Sequence, residues 1–237
     1  MKKVYFSISF IALIIFGLSS CNIFCEKGSG NPVSEEIPLQ EFDEIEIDGS
    51  ANVFIEQGKN AKLTVVIDSN LQQFVLAKIS GMTLKIKEDK CLKEVSRYEI
   101  HITTPSLRKL YVSGSVNVRG DKIIKTDRLY IKAKGSGDVS LGVDTDDLEA
   151  VAKSSGNIHL FGRAADFEIN LDGAGSVDAF SLIAKSVDAD VDGAGTCKIN
   201  VSEKFKGNVG GSGKIYYKGN PKKVQTDVSG SGSIQAK

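Results

Sequence analysis

Two histidines, four cysteines and a dense run of aspartates hold most of the chemistry that this 237-residue chain could perform. The serines come first. Ser50, Ser115, Ser136, Ser155, Ser212 and Ser231 occupy one recurring place, which Ala174 and Ala194 share. A serine nucleophile needs a base beside it, and neither His101 nor His159 falls in a recognisable triad pattern. Small residues at such a place fit a tight corner and hydrogen-bond locally. The row is therefore expected to be structural, and no catalytic residue is assigned. A second row is Asn52, Asn117, Asp138, Asn157, Ser176, Thr196, Lys214 and Ser233. Its side chains could satisfy turn backbone groups, with ligand contact as the alternative. Asp172, Asp178, Asp188, Asp190 and Asp192 form the richest acidic cluster. Hard cations such as Ca²⁺ take several oxygen ligands, but these acids share an outward parity on neighbouring strands. Nothing resembles the nine-residue calcium-binding repeat. A solvated acidic face is expected, an ion site is the alternative, and neither a metal nor a cofactor is assigned.

The cysteines divide by position. Lys2 and Lys3 open the chain, Val4 to Leu18 is mostly apolar, and Leu18-Ser19-Ser20-Cys21 follows. That order is a secretory signal, and its end looks like the lipobox of bacterial lipoproteins. Residues 1–20 are read as the signal and Cys21 as the lipidated first mature residue. An ordinary signal peptide or an uncleaved anchor is the alternative. Lipidation would tether the protein to a membrane through buried acyl chains. Cys197 takes a buried apolar place in the repeat. Cys25 and Cys91 remain; in an exported chain they could form a disulfide, the alternative being two free thiols.

The elements that position these residues are set by a repeat. Gly135-Ser136-Gly137-Asp138-Val139 has close copies beginning at Gly173, Gly193, Gly211 and Gly230, and looser ones at Gly49, Gly114 and Ser154. After a first gap of 65 the intervals are 21, 19, 19, 20, 18 and 19. A fixed period near 20 is the mark of a stacked repeat. Around each copy, apolar or small residues take every second place, as in Leu129 to Leu141 and Phe167 to Ala179. Period-two alternation means strand with one buried face. The paired glycines (Gly135 and Gly137, Gly173 and Gly175, Gly193 and Gly195, Gly211 and Gly213, Gly230 and Gly232) carry the inward parity. They are read as the inside of a sharp bend, where a Cβ would crowd the core. One such unit cannot bury its apolar face, but stacked units can. An all-β fold follows: a β-helix, or β-solenoid, with coils of about 20 residues.

In chain order, the polar, small residues of 21–36 are read as a tether, and the domain spans 37–237. Regular coils are expected over 107–237. The stretch 37–106 is expected to hold irregular coils, with a small β subdomain or cap as the alternative. Asn70 to Leu76 is a short helix or turn. The coils show no C-terminal cap, and an uncovered edge invites self-association, so a homo-oligomer is an expected partner state. Lys+Arg and Asp+Glu are 30 each. Losing residues 1–20 removes two lysines and no acid, leaving 28 against 30. That balance gives no electrostatic case for nucleic acid.

Phe42-Asp43-Glu44-Ile45-Glu46-Ile47-Asp48-Gly49-Ser50, Leu107-Arg108-Lys109-Leu110-Tyr111-Val112-Ser113-Gly114-Ser115 and the Gly-Ser-Gly coils resemble the auto-transporter adhesin head GIN domain family. The resemblance covers roughly Ile37 to Lys237. It implies a right-handed β-helix on an exported, often lipid-anchored, cell-envelope protein. It brings no catalytic residues and no defined ligand site. The reading is a non-enzymatic envelope lipoprotein, expected at the outer membrane on its surface or periplasmic side. Its strand face would contact a glycan or protein ligand. A polysaccharide-active β-helix enzyme and a periplasmic structural or assembly protein are the alternatives. The enzyme would need convergent carboxylates in a groove, and the outer face mixes Lys, Asp and Ser instead.

Overall fold

A computed structural model describes residues 25–237. The signal over 1–20, Cys21 and the start of the expected tether lie outside the described residues. In chain order the strands are β1 (Glu26–Lys27), β2 (Pro32–Ile37), β3 (Glu44–Gly49), β4 (Asn52–Gln57), β5 (Lys62–Asp68), β6 (Val75–Ser80), β7 (Thr83–Glu88), β8 (Leu92–Lys93) and β9 (Tyr98–Thr104). The coils follow as β10 (Lys109–Gly114), β11 (Asn117–Gly135), β12 (Asp138–Ser154), β13 (Asn157–Gly173), β14 (Ser176–Gly193) and β15 (Thr196–Gly211). The last strands are β16 (Lys214–Lys218), β17 (Lys223–Gly230) and β18 (Ser233–Ala236).

From β10 to β15 each strand pairs in parallel with the next, β15 then carries both β16 and β17, and β16 carries β18, giving a β-solenoid of about seven turns of about 19 residues. Parallel stacking brings equivalent residues of successive coils into columns about 4.8 Å apart. Val53, Val118, Val139, Ile158, Val177, Cys197 and Ile215 form one inward column and are all buried. Leu129, Leu148, Phe167, Val187 and Phe205 form another. The alternation seen in the sequence thus becomes a continuous apolar core, which no single coil could bury. Between corners the strands run almost unbroken. The ladders are broken only by register shifts, as at Gly120/Ile123 and His159/Phe161.

The stretch 37–106 combines parallel coils with antiparallel strands. Only β3 and β4 make a coil of the regular kind, and it pairs directly with β10 and β11. Beside it β7 and β9 stack as one irregular coil, and the antiparallel strands make the cap that stood as the alternative. On the other side of the β3–β4 coil, β7 lies parallel to β3 and β9 parallel to β4. Below these, β6 runs antiparallel to β7, β5 antiparallel to β9, and β2 antiparallel to β5. Antiparallel strands end the stacking because they cannot continue a parallel coil. Within Asn70 to Leu76 only Gln72–Phe74 is helical, a single 3₁₀ turn, and β6 begins at Val75.

The tether is corrected. From Cys25 on, its residues belong to the domain: β1 pairs β8, and β2 adds an edge strand to β5. Polar composition misled here because an edge strand at a cap needs few apolar residues. Pro32 sits at the start of that edge strand, where the missing N–H costs no ladder bond. Behind this edge lies Asp68, fully buried. Its carboxylate accepts hydrogen bonds from the Ser96 hydroxyl and from the Ser96 N–H, the latter at 2.9 Å. These bonds hold the acid below its ordinary range against the opposing effect of burial.

Candidate functional site

The corner glycines define the outer shape. Gly49, Gly114, Gly135, Gly173, Gly193, Gly211 and Gly230 all have positive φ. Ser154 takes the same place with φ 78°. The second glycines of the motif are governed by space rather than by φ. A Cβ on Gly137 would meet the carbonyl oxygen of Val116, and one on Gly175 that of Gly156. The sequence reading placed the obstacle in the core. For these two it is the backbone of the preceding coil, because stacking brings that carbonyl within hydrogen-bonding reach. Gly195, Gly213 and Gly232 meet both obstacles, since each Cβ would also strike a core side chain.

Outside the corner, the polar row is a hydrogen-bonded ladder. Asn117 donates to Asn52 Oδ1 at 3.2 Å, Asn157 to Asp138 Oδ1 at 2.8 Å, and Ser176 to Asn157 Oδ1 at 2.6 Å. The Asp138 N–H reaches Asn117 Oδ1 at 3.2 Å. These side chains bind one another from coil to coil. The corner serines stand apart from both histidines. His101 stacks on Phe54 with ring centroids 4.8 Å apart, and His159 leans on Phe161.

The acidic run is largely matched by cations one coil away. Asp178 meets Lys198 at 3.1 Å, Asp188 meets Lys206 at 2.9 Å, and Asp172 meets Lys153 at 3.8 Å. Asn208 donates to Asp190 Oδ1 at 2.5 Å. A trough of about 570 Å³ crosses this face, walled by the columns that contain Arg128, Asp147, Glu149, Glu168 and Lys206. Within it, burial and the neighbouring Glu168 push the Glu149 carboxyl above its ordinary range.

One constellation escaped the sequence reading. Ser140 is the register partner of His159, and His159 that of Asp178. All three face outward on successive coils. The signal that could have found them is their common spacing of 19, which equals the repeat period. They do not form a relay. Neither ring nitrogen of His159 has a hydrogen bond among the described residues. Asp178 accepts instead from Lys198 Nζ and from the Phe180 N–H. Ser140 and His159 border a second trough of about 510 Å³, shared with Asn117, Arg119 and Asn157.

The cysteines lie apart from these faces. Cys25 and Cys91 are joined as a disulfide with Cα atoms 4.5 Å apart, on the cap. Cys197 is buried between Val177 and Ile215, and burial, with a smaller push from Asp178, raises its thiol to about 12. A thiol held so far above neutral pH is unreactive.

This architecture recurs in solved structures. A crystal structure of "a putative adhesin" from Bacteroides fragilis is 24% identical, covers 90% of this chain and 100% of its own, and superposes with a TM-score of 0.82. A "putative lipid binding protein" from Parabacteroides distasonis is 28% identical over 90% of this chain and 99% of its own, with a TM-score of 0.75. A "putative adhesin" from Parabacteroides merdae is 22% identical, with 90% and 99% covered and a TM-score of 0.68. No curated protein matches the chain. The family model described as "Putative auto-transporter adhesin, head GIN domain" matches residues 41–221, and the chain belongs to that family.

Proposed function

We propose that the protein is a non-catalytic interaction module of the bacterial cell envelope, held at a membrane by lipid on Cys21. The observation that carries this reading is the coil-to-coil ladder Asn52–Asn117–Asp138–Asn157–Ser176. Polar side chains that bind one another along a sheet make a long, rigid, nearly flat face. Such a face suits many weak contacts with an extended glycan or a protein surface. An enzyme pocket needs groups converging on one atom, whereas these columns run parallel. Among the described residues no helix is long and apolar enough to cross a membrane. Membership of an adhesin family and the similar protein named as lipid binding support the envelope setting.

The test is protease shaving of intact cells, with a periplasmic protein as control. Loss of the domain while the control survives supports contact with partners outside the cell. Protection until the outer membrane is opened removes external adhesion, leaving a periplasmic role for the same face.

A further inference from the structure

The cap carries exposed apolar side chains at the end of the domain where the chain must approach its anchor. We propose that this end, with the β6–β7 hairpin as its contact edge, rests on the phospholipid surface to which Cys21 is tethered. The inference builds on the lipid anchor proposed above and adds an orientation: the solenoid stands on its cap, with its coils projecting away from the bilayer.

Reach is the first argument. The disulfide fixes Cys25 to Cys91, and β1 then pairs with β8, so the lead enters the domain at the cap. Only three residues separate Cys25 from Cys21. Four chain steps span at most about 14 Å. The cap therefore cannot stand more than about that distance from the lipid headgroups.

The composition of the edge is the second argument. β6 ends the strand path on the cap side, with no partner beyond it among the described residues. Leu76 on β6 is 39% exposed, and Met82 at the hairpin tip is 47% exposed. Leu76 lies opposite Lys87 and Lys78 opposite Lys85. Ile37, Val75 and Leu76 contribute to a cleft of about 810 Å³ that also takes in the three lysines. Charge on this face is not evenly used. Glu46 holds Lys85 at 2.6 Å, Asp48 accepts from Ser113 at 2.7 Å, and Glu35 accepts from Gln72. Among the described residues Lys78 and Lys87 have no such partner. A long lysine beside an exposed leucine suits an interface, where the stem stays in apolar surroundings and the ammonium reaches a phosphate.

The chain contains no tryptophan, so Leu76→Trp and Met82→Trp each introduce a lone fluorophore at an exposed place. Ile183→Trp, at a side chain 54% exposed on β14, is the control away from the cap. The lipidated full chain is reconstituted into vesicles of phosphatidylethanolamine and phosphatidylglycerol with brominated acyl chains. Expected is at least about twofold stronger quenching for both hairpin variants than for the control, as for side chains buried at the interface. Equal quenching at all three places overturns the proposal. Adding Lys78→Glu and Lys87→Glu to Leu76→Trp is expected to bring its quenching down to the control level. Unchanged quenching overturns the assignment of the lysines. Cys21→Ala reads the anchor separately. Retention of wild-type protein on vesicles without hairpin quenching sinks the orientation and leaves the anchor standing. A Cys21→Ala chain that stays in the membrane fraction sinks the anchor. Hairpin quenching in that variant would still support surface contact.

Discussion

The Ser113 hydroxyl donates to Asp48 Oδ1 at 2.7 Å, although 65 residues separate the two. They are neighbours because β10 stacks directly on β3, with Gly114 over Gly49. The chain thus leaves the solenoid after its first coil, builds the cap on one side of that coil, and returns to continue on the other. The first coil is sandwiched between β7 and β9 on one side and β10 and β11 on the other. This connection closes the open core at one end and places the β6–β7 hairpin at the extremity of the domain, away from the ladder faces.

Close stacking at the corner predicts an asymmetry between two glycines. At Gly175 a Cβ would strike the carbonyl oxygen of Gly156, which the fold cannot move without parting two coils. At Gly81 φ is +63° and nothing lies within 4 Å. Gly175→Ala is expected to cost about 3 kcal/mol, the upper end for overpacking, and to lower Tm by roughly 6–12 °C. Gly81→Ala should cost only the left-handed strain of about 1–2 kcal/mol. Thermal unfolding of both variants checks this. Equal shifts would show that the Gly156 carbonyl yields to a Cβ, and that close stacking does not dictate the second corner glycine.

The regular coils were legible because parallel stacking writes itself into sequence twice, as a period near 20 and as alternation within it. Val139, Val177 and Cys197 could be assigned to one buried column for that reason, and the columns are found as read. The cap was not legible. Antiparallel pairing between β5 and β9 leaves no fixed spacing, and β2 is polar because it is an edge. The direction of the glycine obstacle was also hidden, since parity says which way a residue faces but not which backbone passes beside it. Ser140, His159 and Asp178 were hidden differently. Their spacing was visible, but only stacking turns a shared interval into adjacency.

Asp68 gives the cap a pH dependence whose sign follows from its hydrogen bonds. Ser96 donates twice to the buried carboxylate and lowers its folded pKa below the unfolded value of about 3.9. The stabilisation is therefore present above about pH 4 and is lost as pH falls through the lowered folded value. Amide exchange in β5 and β9 should quicken in acid before exchange in β13 and β14. Asp68→Asn should weaken the cap already at pH 7, by about 1–3 kcal/mol for the mispaired buried group, and should flatten the acid response. Cap exchange that ignores both pH and the substitution would refute the assignment.

The Cys25–Cys91 bond closes a 66-residue separation. Chain-entropy arguments give about 2–4 kcal/mol for a typical bond, but β2 also holds the lead through a ladder from Pro32 to Ile37. The lower end is expected for Cys91→Ser, seen as a drop in Tm of roughly 4–8 °C. Peptide mapping of exported protein without reductant should recover Cys25 linked to Cys91. Two alkylated thiols in that protein would contradict the pairing.

Ser140, His159 and Asp178 offer the sharpest test of the non-catalytic reading, because they bring nucleophile, base and acid into one outward column. They are predicted to be inert for two physical reasons. The first is orientation. A triad works when the acid fixes the imidazole and the imidazole receives the serine proton. Here Asp178 is turned toward Lys198 at 3.1 Å and His159 toward Phe161. The second is competition for the donors that a developing oxyanion would need. Strong catalysis of acyl transfer needs preorganised N–H groups aimed at that charge, but paired strand N–H groups are consumed by the ladders to adjacent coils, and at the register shift the Phe180 N–H is taken by Asp178. A fluorophosphonate probe should leave Ser140 unlabelled at neutral pH, and hydrolysis of an activated ester should be the same for wild type and Ser140→Ala. Labelling of Ser140 that disappears in His159→Ala would mean that ligand or solvent rearranges the column into a working site, and the interaction-module reading would give way to a hydrolase.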